Sequence, residues 1–408
     1  MAATFGTGTP FGSGSSTAFG NSSNFGTAAS GGALNTATLN PNNDFMVSDP
    51  PNDTISSVHF SPAALLPRNF IIATTWDNEV RLWEVHSNGS TQGLGMIRHE
   101  APVLASAWKS DGTRIFSAGC DRICKMWDPA TNAVDTVAYH DGPIRHCAFV
   151  GETSGVAGTP FLMTAGWDRT LKYWDVRAPP NPAQGGGGAM GTVSLPERCY
   201  AMDVNGSLVV VGTADREVLW FDLRQPLQPA GRKTSPLRYQ TRCISIFADR
   251  TCYAISSVEG RCGIEYLQDT SKSFAFKCHR IDQGAGGQER ITPVNCVTTY
   301  PSTAPELVDV LATAGGDGRV NIWNKAAKVK TKGLKEVPLP IVALEFNANG
   351  AILAYAMGYD WSQGASGYAR FQSVPPEQRN LIFLHAVQDD EIRSKSAGAR
   401  PPVRKGLF

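Results

Sequence analysis

Ala165-Gly-Trp-Asp-Arg-Thr-Leu-Lys-Tyr-Trp-Asp175 is a polar turn followed by an alternating segment that ends in Trp-Asp. Related stretches recur before and after it, each with an aspartate six residues ahead of an aromatic residue. The five pairs are Asp77 and Trp83, Asp121 and Trp127, Asp168 and Trp174, Asp215 and Phe221, and Asp317 and Trp323. A fixed spacing repeated along one chain indicates one structural unit used several times.

Seven such units can be recognised by an acidic residue or its substitute in the turn. These residues are Asp77, Asp121, Asp168, Asp215, Glu259, Asp317 and Asp360, at steps of 44, 47, 47, 44, 58 and 43 residues. Each unit contains short runs of β-branched and aromatic residues separated by turn residues, which is typical of strands. A period of about 40 to 45 residues is that of a four-stranded propeller blade. The sequence therefore predicts an all-β, seven-bladed β-propeller over residues 44–388.

The composition restricts the classes of protein that remain. The chain has 408 residues, of which 42% are hydrophobic and 18% charged, with a net charge of +1. This supports a large core, while no apolar run approaches the ~18 to 20 residues of a membrane span and no secretory signal begins the chain. The nine cysteines are scattered without metal-ligand spacing, so we predict reduced thiols in an intracellular protein with no metal or cofactor. Bulk electrostatic binding to nucleic acid is disfavoured, but a local basic patch is not.

Both ends of the chain differ from the repeats. Residues 1–43 contain no charged side chain and are rich in Gly, Ser, Thr, Ala and Asn, so we predict a disordered tail. This tail carries Phe-Gly pairs that begin at Phe5, Phe11, Phe19 and Phe25. We interpret them as cohesive motifs in a flexible segment of the chain. Residues 389–408 are polar and basic, and we predict a second disordered tail there.

Closure of the ring requires a strand for the last blade, because an open edge would leave backbone donors and acceptors unpaired. The segment that begins Asp44-Phe-Met-Val-Ser48 has strand character and precedes the first unit. We predict that residues 44–50 supply the outer strand of the seventh blade.

Three units also contain a histidine and a hydroxyl residue in register with the turn aspartate and the Trp. The sets are His99, Ser117, Asp121 and Trp127; His140, Thr164, Asp168 and Trp174; and His279, Thr313, Asp317 and Trp323. A Ser-His-Asp catalytic group would occur once, beside an oxyanion hole. Three copies in register instead predict a buried hydrogen-bond chain in each blade. We therefore expect a binding scaffold and no enzyme; an enzyme that uses one of these sets, such as that of Ser117, is the remote alternative.

Basic residues follow the turn acids on what should be one face of the propeller. They are Arg122, Arg169, Arg216, Arg261 and Arg319, joined in neighbouring loops by Arg198, Arg242 and Arg280. Turns of this kind favour polar residues in any propeller. The alternative is a positive surface for an acidic peptide or a phosphate backbone.

The Trp-Asp units make the chain resemble WD40 β-propellers, and four further segments narrow this resemblance. They are Leu195-Pro-Glu-Arg-Cys-Tyr200, Ser257-Val-Glu-Gly-Arg261, Phe276-Lys-Cys-His-Arg280 and Tyr359-Asp-Trp-Ser362. With the Phe-Gly prefix, they are similar to the Rae/Gle-type mRNA export factors of the nuclear pore. The resemblance implies an adaptor in poly(A) RNA export, in the nucleus at the nuclear pore complex and nuclear envelope, that can shuttle to the cytoplasm. It also implies docking to an FG nucleoporin through a GLEBS segment, a short hairpin-forming peptide that lies across the propeller face.

The partner-binding positions of the family map onto Arg261, Phe276, Trp323, Lys328 and Lys330. In this mapping Phe276 is the hydrophobic anchor, and Trp323 is shared with the third histidine set, which favours a buried role. Lys328 stands where relatives can have Arg, and Lys lacks the bidentate geometry of Arg.

The resemblance further implies a monomer within a heteromeric complex. Such a protein can contact mRNA or mRNA–protein particles, directly or through its partner, and transport receptors through the Phe-Gly motifs. Two alternatives stay open. One is a mitotic checkpoint or spindle propeller that binds the same peptide class, against which the Phe-Gly prefix argues; the other is a substrate adaptor of a ubiquitin ligase.

Overall fold

Seven four-stranded antiparallel sheets follow one another along the chain in the computed structural model, which describes residues 36–151, 160–177, 188–281 and 288–393. The Phe-Gly motifs at Phe5, Phe11, Phe19 and Phe25 lie outside the described residues, as does the basic segment 394–408. The architecture is the seven-bladed propeller that the repeat predicts. In the described part of the chain, no helix is long and apolar enough to cross a membrane.

The elements follow in chain order. A short helix, α1 (Thr36–Leu39), and strand β1 (Phe45–Met46) precede the first blade. Blade 1 consists of β2 (Ile55–Phe60), β3 (Asn69–Thr75), β4 (Glu79–Val85) and β5 (Thr91–Arg98). Blade 2 consists of β6 (Val103–Trp108), β7 (Ile115–Gly119), β8 (Ile123–Asp128) and β9 (Ala133–Tyr139). Blade 3 consists of β10 (Ile144–Val150), β11 (Phe161–Gly166), β12 (Thr170–Trp174) and β13 (Gly191–Ser194).

The second half continues this order. Blade 4 consists of β14 (Cys199–Asn205), β15 (Leu208–Thr213), β16 (Glu217–Asp222) and β17 (Gly231–Thr234). Blade 5 consists of β18 (Thr241–Ile246), β19 (Cys252–Ser257), β20 (Arg261–Tyr266) and β21 (Phe274–Lys277), followed by a hairpin of β22 (Arg280–Ile281) and β23 (Arg290–Ile291). Blade 6 consists of β24 (Cys296–Thr299), β25 (Val310–Ala314), β26 (Val320–Asn324) and β27 (Val329–Gly333). Blade 7 contains β28 (Ile341–Phe346), β29 (Ile352–Met357), helix α2 (Gly364–Phe371) and β30 (Ile382–Ala386), and helix α3 (Asp389–Ile392) follows.

The innermost strands form a closed ring around a central channel. Each innermost strand contacts that of the next blade, and β28 contacts β2. One hydrophobic cluster is buried at each of the seven interfaces between blades. Between blades 1 and 2, for example, Phe70 and Leu82 belong to the same cluster as Trp108 and Trp127. Burial of one such side chain contributes about 1.5–3 kcal/mol, so apolar contacts between successive blades stabilise the ring.

Strand β1 lies at the outer edge of blade 7, where Phe45 is in register with Leu384 of β30. This strand has only two residues, and the chain after it passes to blade 1. There the Trp83 indole donates a hydrogen bond to the Ser48 carbonyl at 2.8 Å, and Val47 is buried in the cluster between blades 7 and 1. Of the predicted closing segment 44–50, only the first part is therefore a strand, and the remainder joins the first and last blades.

The ordered body extends beyond the predicted limits of 44 and 388 at both ends. Leu39 of α1 is buried in the cluster between blades 6 and 7. Glu391 and Ile392 of α3 are buried as well, and Glu391 closes a capping box with Gln388. Composition alone assigned these residues to the tails, because a single turn of helix has no periodicity that could reveal its buried side.

Candidate partner-binding site

The blade 3 histidine set forms a continuous buried hydrogen-bond chain. His140 Nδ1 lies 2.9 Å from Asp168 Oδ2 and its Nε2 lies 2.7 Å from Thr164 Oγ1, to which the Trp174 indole donates at 2.7 Å. Burial would raise the pKa of Asp168, but hydrogen bonds from His140 and Thr170 lower it to about 2. Thr164 is fully buried, so no substrate reaches its hydroxyl. The same bonds recur in blade 6 among His279, Asp317, Thr313 and Trp323, at 2.8, 2.8 and 2.9 Å.

The blade 2 set requires a correction. His99 is bonded to Asp121 at 2.7 Å and to Ser117 at 2.8 Å. The indole of Trp127, however, donates to Asn132 Oδ1 at 3.0 Å instead of to Ser117. Asn132 lies in the turn after β8 in a left-handed conformation, with φ of 59°, and its amide oxygen takes the role that Thr has in blades 3 and 6. Trp127 is therefore not a member of the predicted chain.

The turns between the second and third strands all lie on one face of the propeller, which we call the turn face. The residue after the turn acid is left-handed in every blade: Asn78, Arg122, Arg169, Arg216, Gly260, Gly318 and Trp361, with φ between 59° and 72°. Bulky residues rarely adopt this conformation. Since Gly260 and Gly318 take this position, Arg261 and Arg319 lie one residue further along. The predicted equivalence of five arginines is therefore corrected to three.

One residue of each blade is directed into the channel entrance on the turn face. The register between the first and second strands shifts near the start of six innermost strands, and such a bulge re-aims the extra residue. In blade 6, Asn295 directly precedes β24 and takes the equivalent place. The resulting ring comprises Ser56, Leu104, Arg145, Tyr200, Arg242, Asn295 and Val342. We call the cavity that it lines, of about 600 Å³, the mouth.

Two ring residues, Arg145 and Arg242, place guanidinium groups in the mouth without a carboxylate partner among the described residues. Arg145 donates to the Leu104 carbonyl at 3.1 Å, and Arg242 donates to Asn295 Oδ1 at 3.0 Å. Burial and the nearby Arg242 lower the pKa of Arg145. Two like charges in a partly buried site favour an anionic group between them.

Aromatic rings surround these arginines. Trp76 and Trp361 have exposed fractions of 39% and 46%, and Trp167 and Tyr359 complete the wall. Trp361 stacks on Tyr368 of α2, with 4.9 Å between ring centroids and 15° between planes. Large exposed aromatic residues around a cavity are typical of a protein interaction site.

Unsatisfied polar atoms also cluster at the mouth. Three buried side-chain atoms, Thr54 Oγ1, Trp167 Nε1 and Thr241 Oγ1, have no hydrogen-bond partner in the described chain, and all three residues line the mouth. Buried polar groups are seldom left unpaired in a folded protein. These atoms are therefore available to a ligand that offers carbonyl or carboxylate oxygens.

A second aromatic and basic surface lies on the outer rim between blades 5 and 6. We call it the rim groove, formed by Phe274, Phe276, Trp323, Lys328 and Lys330. The rings of Phe276 and Trp323 have centroids 4.8 Å apart, and the Lys328 ammonium lies 4.7 Å from the centroid of Phe274. Lys330 is in register with Trp323. The structure thus brings together four of the five partner-binding positions implied by the family resemblance.

The fifth position, Arg261, is not directed toward the aromatic residues. It is in register with Lys277 of β21, next to Phe276, so its side chain projects to the opposite face of the sheet from that of Phe276. Trp323 is half-buried and donates to Thr313, so it serves both the rim groove and the histidine set.

The repeat pattern does not reveal the mouth as a site. Neither Arg145 nor Trp76 stands out in that pattern, and Arg242 does so only as a basic loop residue. The available signal is position, because Arg145 and Arg242 each stand second in an innermost strand, as do the ring residues of the other blades except Asn295, which precedes β24. A bulge has no side-chain signature of its own, so this equivalence emerges only from the register of the strands.

Three known proteins to which this chain is similar belong to one family. The "WD domain, G-beta repeat" family matches residues 94–128 and 134–175. Protein Rae1 of Drosophila melanogaster is 40% identical over 361 residues, covering 87% of this chain and 97% of its own. mRNA export factor GLE2 of Chaetomium thermophilum is 39% identical, covering 91% and 96%. Protein RAE1 of Arabidopsis thaliana is 41% identical, covering 90% and 97%.

Proposed function

The chain belongs to the Rae1/GLE2 family of WD-repeat mRNA export factors, and we propose that it is a non-enzymatic adaptor that docks an FG nucleoporin. Family membership supports a role in mRNA export. The partner segment in this proposal is a GLEBS peptide laid across the turn face. The protein would then work at the nuclear pore complex and shuttle between nucleus and cytoplasm.

The mouth is the observation that carries this proposal. A peptide that crosses it would bury the exposed rings of Trp76 and Trp361 and supply oxygen atoms to Trp167 Nε1 and the threonine hydroxyls. An acidic side chain of the peptide would lie between Arg145 and Arg242. Such a charge-assisted contact in a partly buried place is stronger than one at a surface.

The rim groove is proposed as a second contact of the same partner. Phe276 offers an apolar anchor, and Lys328 and Lys330 offer positive charge beside it. Because the groove lies on the outer rim and the mouth lies at the centre, a partner that touches both must extend over blades 5 and 6.

The test uses a synthetic GLEBS peptide and purified protein. Arg145→Glu should weaken binding at least tenfold, and the pair Arg261→Glu with Phe276→Ala should weaken it by a smaller factor. Arg122→Glu is the matched control, because Arg122 is exposed on the same face but does not line the mouth. Equal affinity of the wild type and Arg145→Glu would refute the mouth as the docking site.

Affinity capture from cell extract, with the wild type and Arg145→Glu as baits, tests which protein is the biological partner. Nucleoporins should be recovered with the wild type and lost with Arg145→Glu. Recovery of spindle checkpoint proteins or of a ubiquitin ligase scaffold in place of nucleoporins would favour the two alternative adaptor functions.

Direct contact with mRNA is a second candidate function, favoured by the rim groove. Aromatic rings that stack on bases, beside lysines that contact phosphates, form a common surface for single-stranded nucleic acid. Lys328→Ala with Lys330→Ala should then reduce affinity for poly(A) RNA and also the dependence of binding on salt. If RNA is held only through the partner, the purified wild-type protein without that partner will not bind poly(A) RNA, and the double variant will behave in the same way.

A further inference from the structure

A second concavity opens on the turn face beside the mouth, between the β22–β23 hairpin and α2. We call it the hairpin–helix groove, and its volume is about 810 Å³. Its lining includes Ile291, which is 48% exposed, together with Val337 and Leu339 of the segment before β28. Tyr359 and Asp360 line both this groove and the mouth. The two cavities therefore adjoin at this point.

The charges around the groove are nearly balanced. Arg290 and Arg370 contribute two positive charges, and Asp317, Glu336 and Asp360 contribute three negative ones. Such a mixed surface has no single-sign field that would select a strongly charged ligand. An uncharged segment with apolar side chains matches it better.

The N-terminal segment is fixed to the protein at the edge of this groove. The Asn42 side chain exchanges two hydrogen bonds with the backbone of Lys335, at 3.1 and 2.8 Å. Leu39 belongs to the same buried cluster as Val337. Glu336 to Leu339, the residues directly after Lys335, line the groove. The residues that follow segment 1–35 are therefore anchored next to the groove.

We infer that a Phe-Gly motif of residues 1–35 occupies the hairpin–helix groove. Phe25 precedes Thr36 by 11 residues, which can span at most about 36–40 Å when extended and about 17–20 Å on average as a flexible chain. A tethered ligand has an effective concentration on the order of millimolar, so a weak contact of one Phe ring is sufficient. Residues 1–43 carry no charge, in agreement with the balanced groove.

The consequence for partner binding rests on the proposed function. Since the groove and the mouth share Tyr359 and Asp360, a bound Phe-Gly motif obstructs part of the path of a peptide across the turn face. Binding of the peptide then releases the motif, and the tail becomes available to other proteins only on the docked adaptor.

Photo-crosslinking in the full-length chain tests the occupant directly. With benzoylphenylalanine at position 25, irradiation should give crosslinks to the hairpin around Ile291, to Val337–Pro340 or to Phe371–Val374, located by mass spectrometry. Ile291→Asp should reduce their yield at least fivefold. Val134→Asp is the matched control, because Val134 is also an exposed apolar residue, at 41%, but does not line the groove. Crosslinks spread over the surface, or a yield that Ile291→Asp leaves unchanged, would overturn the inference.

A binding measurement separates this inference from the proposed function. Replacement of Phe5, Phe11, Phe19 and Phe25 by Ser should raise affinity for a synthetic GLEBS peptide about three- to tenfold, the gain expected from removal of a tethered competitor. An unchanged affinity would show that the Phe-Gly motif does not compete with the peptide. If the peptide binds neither protein, the proposed function fails, while the crosslinks still decide whether the tail occupies the groove.

Discussion

His385 Nδ1 lies 2.7 Å from Asp44 Oδ1, although 341 residues separate the two along the chain. The other ring nitrogen lies 2.9 Å from Glu391 of α3. Burial alone would lower the pKa of His385, but the hydrogen bonds to Asp44 and Glu391 outweigh it and raise the pKa to about 9. The imidazolium therefore connects the segment before the closing strand, the last strand of blade 7 and the C-terminal helix.

His385→Gln should destabilise the protein in a pH-dependent manner. The pKa of about 9 in the folded state exceeds the unfolded value of about 6.5. The stabilisation is therefore fully present below pH ~6.5 and is lost as the pH rises through ~9. The free energy of unfolding should differ between wild type and variant by at most about 3 kcal/mol at pH 6, and by little at pH 9.5.

Urea unfolding at pH 6, 7.5 and 9.5 measures this difference. His86→Gln serves as the control, because His86 is exposed. A difference that stays constant over this range would show that His385 acts only by packing.

Removal of residues 1–35 should leave the melting temperature within about 2 °C of the full chain, because the segment with the buried Leu39 side chain is retained. Removal of residues 1–50 should lower it by many degrees, because it takes away β1, the Asp44 contact with His385 and the Ser48 contact with Trp83. Differential scanning calorimetry of the two truncated chains checks this. Equal melting temperatures would mean that the closing segment does not hold the ring.

Thr164→Val should cost more stability than Ser117→Ala. Loss of the Thr164 hydroxyl leaves His140 Nε2 and Trp174 Nε1 without their partner, at about 1–3 kcal/mol for each unpaired group. Loss of the Ser117 hydroxyl affects only His99 Nε2, because Trp127 is bonded to Asn132. Urea denaturation of both variants gives the comparison, and a larger loss for Ser117→Ala would contradict the corrected hydrogen-bond chain.

Arg145→Met should retain or raise the thermal stability of the free protein while it weakens GLEBS peptide binding at least tenfold. The substitution removes one of two like charges that lack an acidic partner within the described residues, and the Met side chain preserves much of the packing. Thermal unfolding and titration with the peptide measure the two effects separately. A variant that loses stability and keeps its affinity would indicate a structural role for Arg145 and no role in docking.

Much of the propeller fold could be predicted, because the pattern of each blade is local in sequence and repeated along the chain. The step from Asp168 to Trp174 recurs in blade after blade, and a spacing of six residues is set by one turn and one strand. The hydrogen bond of Trp127 could not be predicted in this way, since it depends on the conformation of a single Asn in the next turn.

The number of blades, the order of the strands and the histidine sets of blades 3 and 6 can be recognised in the sequence, because each depends on residues close together in one unit. Which side chains of different blades come together depends on the packing of the whole ring. Arg145 and Arg242 stand in blades 3 and 5, and Asp44 and His385 stand at opposite ends of the chain. The two arginines lie near each other because strand bulges turn side chains into the channel, and Asp44 reaches His385 because the ring closes. Both depend on how the blades pack against one another.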